Sequence, residues 1–227
     1  MKKISIQIAG IIFFCALILS ANAQALPQIQ LQQVFPNLKT PPHPDWLREN
    51  TPVRPVWMSE APDGSGRLFV VFQTGRILIV KKGSDGGGAE EFLNIEDRQP
   101  EIDNECGLLS IAFHPGFKTN GLFYIYYTQK NAQADIDRLN NGLPVAFPIR
   151  SIVSEFKVSA ADPDKADMTS ERVVFDVLQP FTNHKGGELA FRTVIFTLAS
   201  ATAGAVMIRS VTPRTRPLIW EKCSALM

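Results

Sequence analysis

The chain has 227 residues, 45% of them hydrophobic, with 15 Gly, 16 Pro and a formal net charge of +1, a composition that fits a globular fold and excludes wholesale disorder. Its 23 Lys and Arg against 22 Asp and Glu leave no basic footprint for neutralising phosphates, so nucleic acid is not an expected partner. Three cysteines are too few for a disulfide scaffold.

Lys2 and Lys3 precede an apolar run from Ile4 to Leu19, and Ala21-Asn22-Ala23 follows, the small-x-small pattern at which a signal peptidase cuts. Residues 1–23 are therefore expected to be a signal peptide, with the mature chain starting at Gln24 and exported to a periplasmic or extracellular space. A stable membrane anchor is not expected, because a spanning helix needs at least about 17 apolar residues and this run carries a cleavage site. Removal of the signal leaves Cys106 and Cys223. A pair between them stays open, and Cys106 beside Gly107-Leu108-Leu109 reads as a small buried apolar residue.

Residues 24–54 are rich in Gln and Pro, with Pro41-Pro42-His43-Pro44 at their centre, so neither helix nor sheet ladder is expected and the segment reads as an extended lead-in. His43 has no ligand-type neighbour there and reads as a solvated loop histidine.

Beyond Pro55, short β-branched and aromatic runs alternate with Gly, Asp and Asn, and hardly any 3.6-residue period appears; this is an all-β pattern. Strands are expected at Val56 to Glu60, Arg67 to Gln73 and Arg76 to Lys81, joined by Pro62-Asp63-Gly64-Ser65-Gly66 and by Thr74-Gly75, both of which have turn chemistry. The unit recurs. Leu109 to Pro115 is a strand ending in a Pro turn, Asn120-Gly121 opens the strand Leu122 to Tyr127, and a third copy starts at Gly187-Glu188-Leu189-Ala190-Phe191. Repetition of strand, Pro/Gly turn and aromatic strand is what blades around a propeller axis produce. Asn131 to Phe147 reads as a loop insertion and Ala160 to Ser170 as a polar connector. A blade takes about 40 to 50 residues, so about two to three blades are present.

From Arg192 the character changes: the run Thr193 to Ala205 lacks the turn chemistry seen earlier, and Glu221 is the single acid of the tail. A C-terminal helix or a short apolar anchor would be the bland readings. Back-translation with the frame displaced by two nucleotides gives a different one. Met207-Ile208 then must encode Asp, Trp220-Glu221 must encode Gly, and permitted codon choices yield DGYLYIGIGDGGGGDDPFG, the missing Asp-Gly turn and aromatic strand. Residues 192–227 are thus expected to be a frame-shifted tail arising from a small insertion or deletion near Phe191.

Thr182-Asn183-His184-Lys185-Gly186-Gly187 is the local arrangement that most resembles a site: a loop histidine flanked by Asn and two glycines, ahead of a strand. An imidazole's ordinary pKa of about 6.5 suits proton abstraction near neutrality. The block Glu105-Cys106-Gly107-Leu108-Leu109-Ser110-Ile111-Ala112-Phe113-His114-Pro115-Gly116-Phe117, then Asn120-Gly121-Leu122-Phe123-Tyr124, together with Asn183 to Phe191, resembles the soluble quinoprotein glucose/sorbosone dehydrogenase family from about Pro55 to Phe191. The resemblance implies a six-bladed β-propeller, incomplete here, that oxidises the anomeric carbon of an aldose with pyrroloquinoline quinone (PQQ) and calcium and passes electrons to an external acceptor. It also implies that His184 is the general base, that Asn183 contacts sugar, and that Glu105 stands where some members carry a cofactor-side Gln. The residues that hold calcium and the quinone carboxylates come from later blades in that family, so the chain as written is expected to be inactive. Open blade ends expose unpaired edges, and the isolated chain is expected to self-associate.

The competing reading is a non-enzymatic extracellular binding module on the same propeller, since one fold hosts many functions. His114, in a strand-end motif, reads as a turn-holding residue; Asp176 and the group Glu90, Glu91 and Glu96 have no spacing that commits them to a metal and read as a solvated face.

Overall fold

The computed structural model describes residues 30–100, 105–132, 149–179 and 181–192, and the backbone of residues 195–200, 204–209 and 219–222. The expected signal peptide, nearly all of the expected insertion Asn131 to Phe147, and Cys223 lie outside the described residues. The chain divides into two units, Met1–Val34 and Phe35–Met227; in the first, the described residues 30–34 carry neither helix nor strand.

From Phe35 onward the fold is all-β. Its regular elements are β1 (Pro55–Glu60), β2 (Arg67–Phe72), β3 (Arg76–Lys81), β4 (Glu90–Asn94), β5 (Leu108–Phe113), β6 (Leu122–Lys130), β7 (Ile149–Val158), β8 (Ala166–Gln179), β9 (Glu188–Arg192), β10 (Ile195–Ser200), β11 (Gly204–Arg209) and β12 (Ile219–Lys222), with single helical turns at Glu96–Arg98 and Phe117–Asn120. These strands form three four-stranded sheets in chain order, β1–β4 (sheet A), β5–β8 (sheet B) and β9–β12 (sheet C). Every pairing is antiparallel between successive strands.

Side chains alternate across a strand, so Phe69 and Val71 of β2 face one way and Val70 and Phe72 the other. Both sets are buried, which is why the run Leu68 to Phe72 shows no polar alternation. Phe69, Val71, Ile77, Ile79 and Phe92 pack on Ile111, Phe113, Phe123, Ile125 and Phe156 of sheet B. Ring contacts bind this layer, with Phe69 4.7 Å from Phe92 and 4.8 Å from Phe113, and Phe123 stacked on Phe156 at 5.7 Å. Each such ring contributes about 1.5–3 kcal/mol on leaving water. The opposite face of sheet B, with Ala112, Tyr124, Tyr126, Val153 and Phe175, receives Leu189 of β9, with Leu109 and Phe191 at its margin. The first strands lie next to one another, β1 beside β5 and β5 beside β9, and β4 meets β8 at the far side.

Four expectations change on folding. The lead-in lacks helix and strand among its described residues, but it packs: Phe35, Leu38 and Val53 cover Val70, Phe72, Leu78 and Val80 on the second face of sheet A. Its seat is the turn between β3 and β4, where Asn37 N–H and Nδ2 donate to Asp85 O (2.9 Å) and Oδ2 (2.8 Å), and where a Cβ on Gly86 would sit 2.9 Å from Leu38. The connector is shorter than Ala160 to Ser170, because β8 begins at Ala166. It also ties the sheets together, since Arg67 donates to Asp164 (2.7 Å) and Pro163 O (2.6 Å) while pairing with Asp63. The acidic group is not merely solvated: Arg76 bridges Glu91 at 2.8 Å and Glu96 at 2.6 Å. The tail carries the backbone strands β10–β12, paired onto β9.

Candidate functional site

The site forms where two loops, each leading into the first strand of a sheet, run side by side. Glu105–Gly107 leads into β5 and Phe181–Gly187 into β9. Glu105 Oε2 accepts the Lys185 N–H at 3.1 Å. The Cys106 thiol donates to Thr182 O at 3.1 Å, so the residue expected to be simply apolar is buried but polar in its use. From β6, the Tyr126 hydroxyl donates to Lys185 O at 3.0 Å and lies 2.9 Å from Ser151 Oγ, which donates to it. The Lys185 ammonium turns back to donate to Phe181 O.

The first loop is itself anchored. Gly107 N–H donates to Thr128 Oγ1 at 2.8 Å, Thr128 N–H returns to Gly107 O at 3.0 Å, and Leu108 N–H reaches Gln73 O at 2.9 Å. Gln73 Nε2 donates to Cys106 O, and its Oε1 accepts from Arg54 Nε at 2.8 Å. Gly107 has φ +122°, and a Cβ there would stand 2.5 Å from Gln73 O, so glycine is required both by conformation and by space.

Asn183 and His184 are exposed at the tip of the second loop, Glu105 is half-buried, and Lys185 is fully buried. His184 has φ +59°, the left-handed region that costs an L-residue roughly 1–2 kcal/mol. Burial lowers the Lys185 ammonium below its ordinary range, partly offset by the neighbouring Cys106 and Glu105. Burial also pushes the Tyr126 hydroxyl up to about 12, against a smaller downward pull from Ser151, so it stays protonated as a donor throughout the neutral range. A cavity of about 380 Å³ lies against the loop, lined by Val56, Trp57, Leu109, Gly186, Gly187 and Glu188. The Trp57 indole Nε1 is buried without a hydrogen-bond partner.

Sequence reasoning placed Glu105, Asn183 and His184 in one site, and the fold brings their loops together. It missed Tyr126, Thr128 and Gln73, which read as ordinary strand and turn residues and carry no local signal. His114 holds its turn as expected: Nδ1 accepts from Gly116 N–H and Asn120 Nδ2, both at 2.9 Å. Asp176 pairs with Arg150. Among the described residues no three of His, Cys, Asp and Glu converge on one point, and none of the helices is long and apolar enough to cross a membrane.

Compared with known proteins, residues 53–204 match the family described as Glucose / Sorbosone dehydrogenase. Hedgehog-interacting protein of Homo sapiens is 33% identical over 141 residues, covering 61% of this chain and 19% of that protein. HIPL1 protein of Arabidopsis thaliana is 26% identical over 160 residues, covering 57% of this chain and 23% of that one. The PQQ-bound aldose sugar dehydrogenase of Streptomyces coelicolor superposes with a TM-score of 0.50 at 16% identity, over 68% of this chain and 44% of that structure, a likeness of fold. The chain spans about a fifth of the length of the sequence relatives it matches.

Proposed function

The chain belongs to the glucose/sorbosone dehydrogenase family, and from that premise we propose that it is part of an exported quinoprotein that oxidises the anomeric carbon of an aldose sugar. The three consecutive four-stranded meanders, with first strands side by side, support reading them as successive blades of a propeller. The observation that carries the reading is the junction of the two loops, where Glu105 Oε2 holds the Lys185 N–H at 3.1 Å beside an exposed His184.

His184 receives the proton of the anomeric hydroxyl. His184 is exposed, with Asn183 exposed before it and Gly186-Gly187 two and three residues after it, a placement that suits approach of a sugar hydroxyl from solvent. Asn183 offers an amide to the neighbouring sugar hydroxyls, and Glu105 borders the cofactor side. When bound, PQQ supplies the two-electron acceptor. The cavity of about 380 Å³ has Trp57 and Leu109 in its wall but also Glu188 and no basic side chain, so its lining does not fit the quinone's carboxylates. For calcium the described residues offer no convergent carboxylate set.

Titration of the purified chain with PQQ and calcium, followed by tryptophan quenching and by aldose-dependent dye reduction, tests this reading. Neither quenching nor turnover is expected of this chain; we propose that residues 192–227 are read out of frame, and turnover is expected of the frame-restored protein encoded when the shifted frame is continued. Absence of aldose-dependent reduction from that longer protein, with quinone and calcium supplied, would refute the enzymatic assignment. A second reading, a non-enzymatic extracellular binding module, is favoured by the 33% identity to a relative named for an interaction. Capture of a protein ligand without any quinone-dependent reduction would establish it instead.

A further inference from the structure

The chain has three tyrosines, all on β6, and each spends its hydroxyl differently. Tyr124 donates to Glu155 Oε2 at 2.5 Å, within sheet B. Tyr127 accepts from Arg98 at 3.1 Å, tying sheet B to the helical turn after sheet A. Tyr126 alone reaches across to the loop that carries His184, donating to Lys185 O at 3.0 Å.

His184 sits at φ +59° without being glycine. Such a conformation persists only where surrounding bonds over-determine it. The bonds are present on both sides of the following residue: Glu105 takes the Lys185 N–H, and Tyr126 gives its proton to the Lys185 carbonyl. Upstream, Cys106 holds Thr182 O and the Lys185 ammonium holds Phe181 O. Ser151 on β7 fixes the direction of the Tyr126 hydroxyl by donating to it at 2.9 Å. Tyr126 is fully buried, so its proton cannot be exchanged for a water contact without opening the layer between β6 and β9.

We propose that Tyr126, directed by Ser151, is a positioning residue that holds His184 in its left-handed conformation through the Lys185 carbonyl, with Glu105 as the second jaw of the clamp. The assignment deepens the reading of His184 as the base and rests on it for its purpose, though the clamp itself is a statement about geometry. The clamp makes the orientation of His184 a property of sheet B, seated some sixty residues earlier in the chain, rather than of its own loop.

Tyr126→Phe keeps the ring and removes the hydroxyl, and Ser151→Ala leaves the hydroxyl but frees its direction. The chain holds three histidines, His43, His114 and His184, so imidazole resonances report on each separately. In both variants the His184 imidazole resonances are expected to shift and its amide-to-Hα coupling to change toward a negative φ, with the larger change in Tyr126→Phe. The His43 and His114 resonances should stay as in the parent chain. The charged or ionisable neighbours of the loop, Glu105, Cys106 and Lys185, are unchanged in either variant, so a shift reports the loop's geometry. Unmoved His184 resonances and coupling in Ser151→Ala and in a folded Tyr126→Phe would overturn the clamp. If Tyr126→Phe fails to fold, Ser151→Ala decides alone. If His184 moves as expected but the frame-restored protein shows no sugar oxidation, the clamp stands and the assignment of His184 as a base falls.

Discussion

The layer between sheets A and B and the layer between sheets B and C are built on different principles. The first is a wall of rings, Phe69, Phe92, Phe113, Phe123 and Phe156, closed at its rim by Arg67 with Asp63 and Asp164 and by Arg98 with Glu171. In the second, Leu189 meets a smaller apolar patch, and the adjoining loop is gripped through its carbonyls by Tyr126, Cys106 and Lys185. Apolar burial is strong and non-directional, so it can hold two sheets together but cannot set a single peptide's φ. Hydrogen bonds are modest in net energy but directional, so they can. The first layer makes the fold and the second shapes the site.

That contrast breaks most visibly if a ring of the first layer is removed. Phe123 is fully buried, 5.0 Å from Phe92 and stacked on Phe156, and Phe123→Ala is expected to cost about 3–5 kcal/mol by denaturant unfolding, through lost transfer energy and the cavity left. A loss under 1 kcal/mol would mean the ring layer is not the main stabiliser. Next in size, Gly107→Ala forces a side chain against Gln73 O at a φ of +122°. A destabilisation of about 1–3 kcal/mol is expected, accompanied by displacement of Glu105 that a His184 resonance would register.

The rim of the first layer should show in acid. Burial alone would raise the Glu171 carboxyl, but hydrogen bonds from Arg98 and Ser154 and the Arg98 charge outweigh it and hold it below its ordinary value. A carboxylate depressed in the folded state contributes stability that is complete above its unfolded pKa and disappears as pH falls through the folded one. Glu171→Gln should therefore flatten the stability curve below about pH 4.5 and cost at most about 1 kcal/mol at neutral pH, since partly exposed pairs contribute little. An unchanged acid limb would remove Glu171 from the account. Smallest, and opposite in sign, is His184→Gly: it relieves a left-handed histidine and should raise stability by about 1 kcal/mol, while abolishing any sugar oxidation by the frame-restored protein. A loss of stability would show that the imidazole itself supports the loop.

Strands β2, β3, β5 and β6 were readable because both faces of each are covered, which leaves uninterrupted apolar runs between glycine turns. Strand β4 was hidden by Glu90 and Glu91, whose charges point to solvent and to Arg76, and the start of β8 by Asp167 to Glu171 on the outermost strand of its sheet. An edge strand exposed to water carries polar residues that look like a connector. The tail's strands β10–β12 were not foreseen, because pairing uses backbone groups and does not require the turn chemistry that marked the earlier copies.

Composition, short β-branched and aromatic runs and the glycine turns were enough to determine an all-β chain of repeated meanders, and the family resemblance of the quoted blocks implied one candidate site holding Glu105, Asn183 and His184. The strands and turns are properties of short stretches, where each residue's side-chain shape and φ preference act on its immediate neighbours. Which carbonyls the site's loop would surrender, and to what, was decided by tertiary structure alone. Tyr126 and Lys185 are 59 residues apart, and no local preference couples them. Only the stacking of one sheet on the next brings that hydroxyl to that carbonyl, and with it fixes the histidine between Asn183 and Lys185 in a conformation its own sequence disfavours.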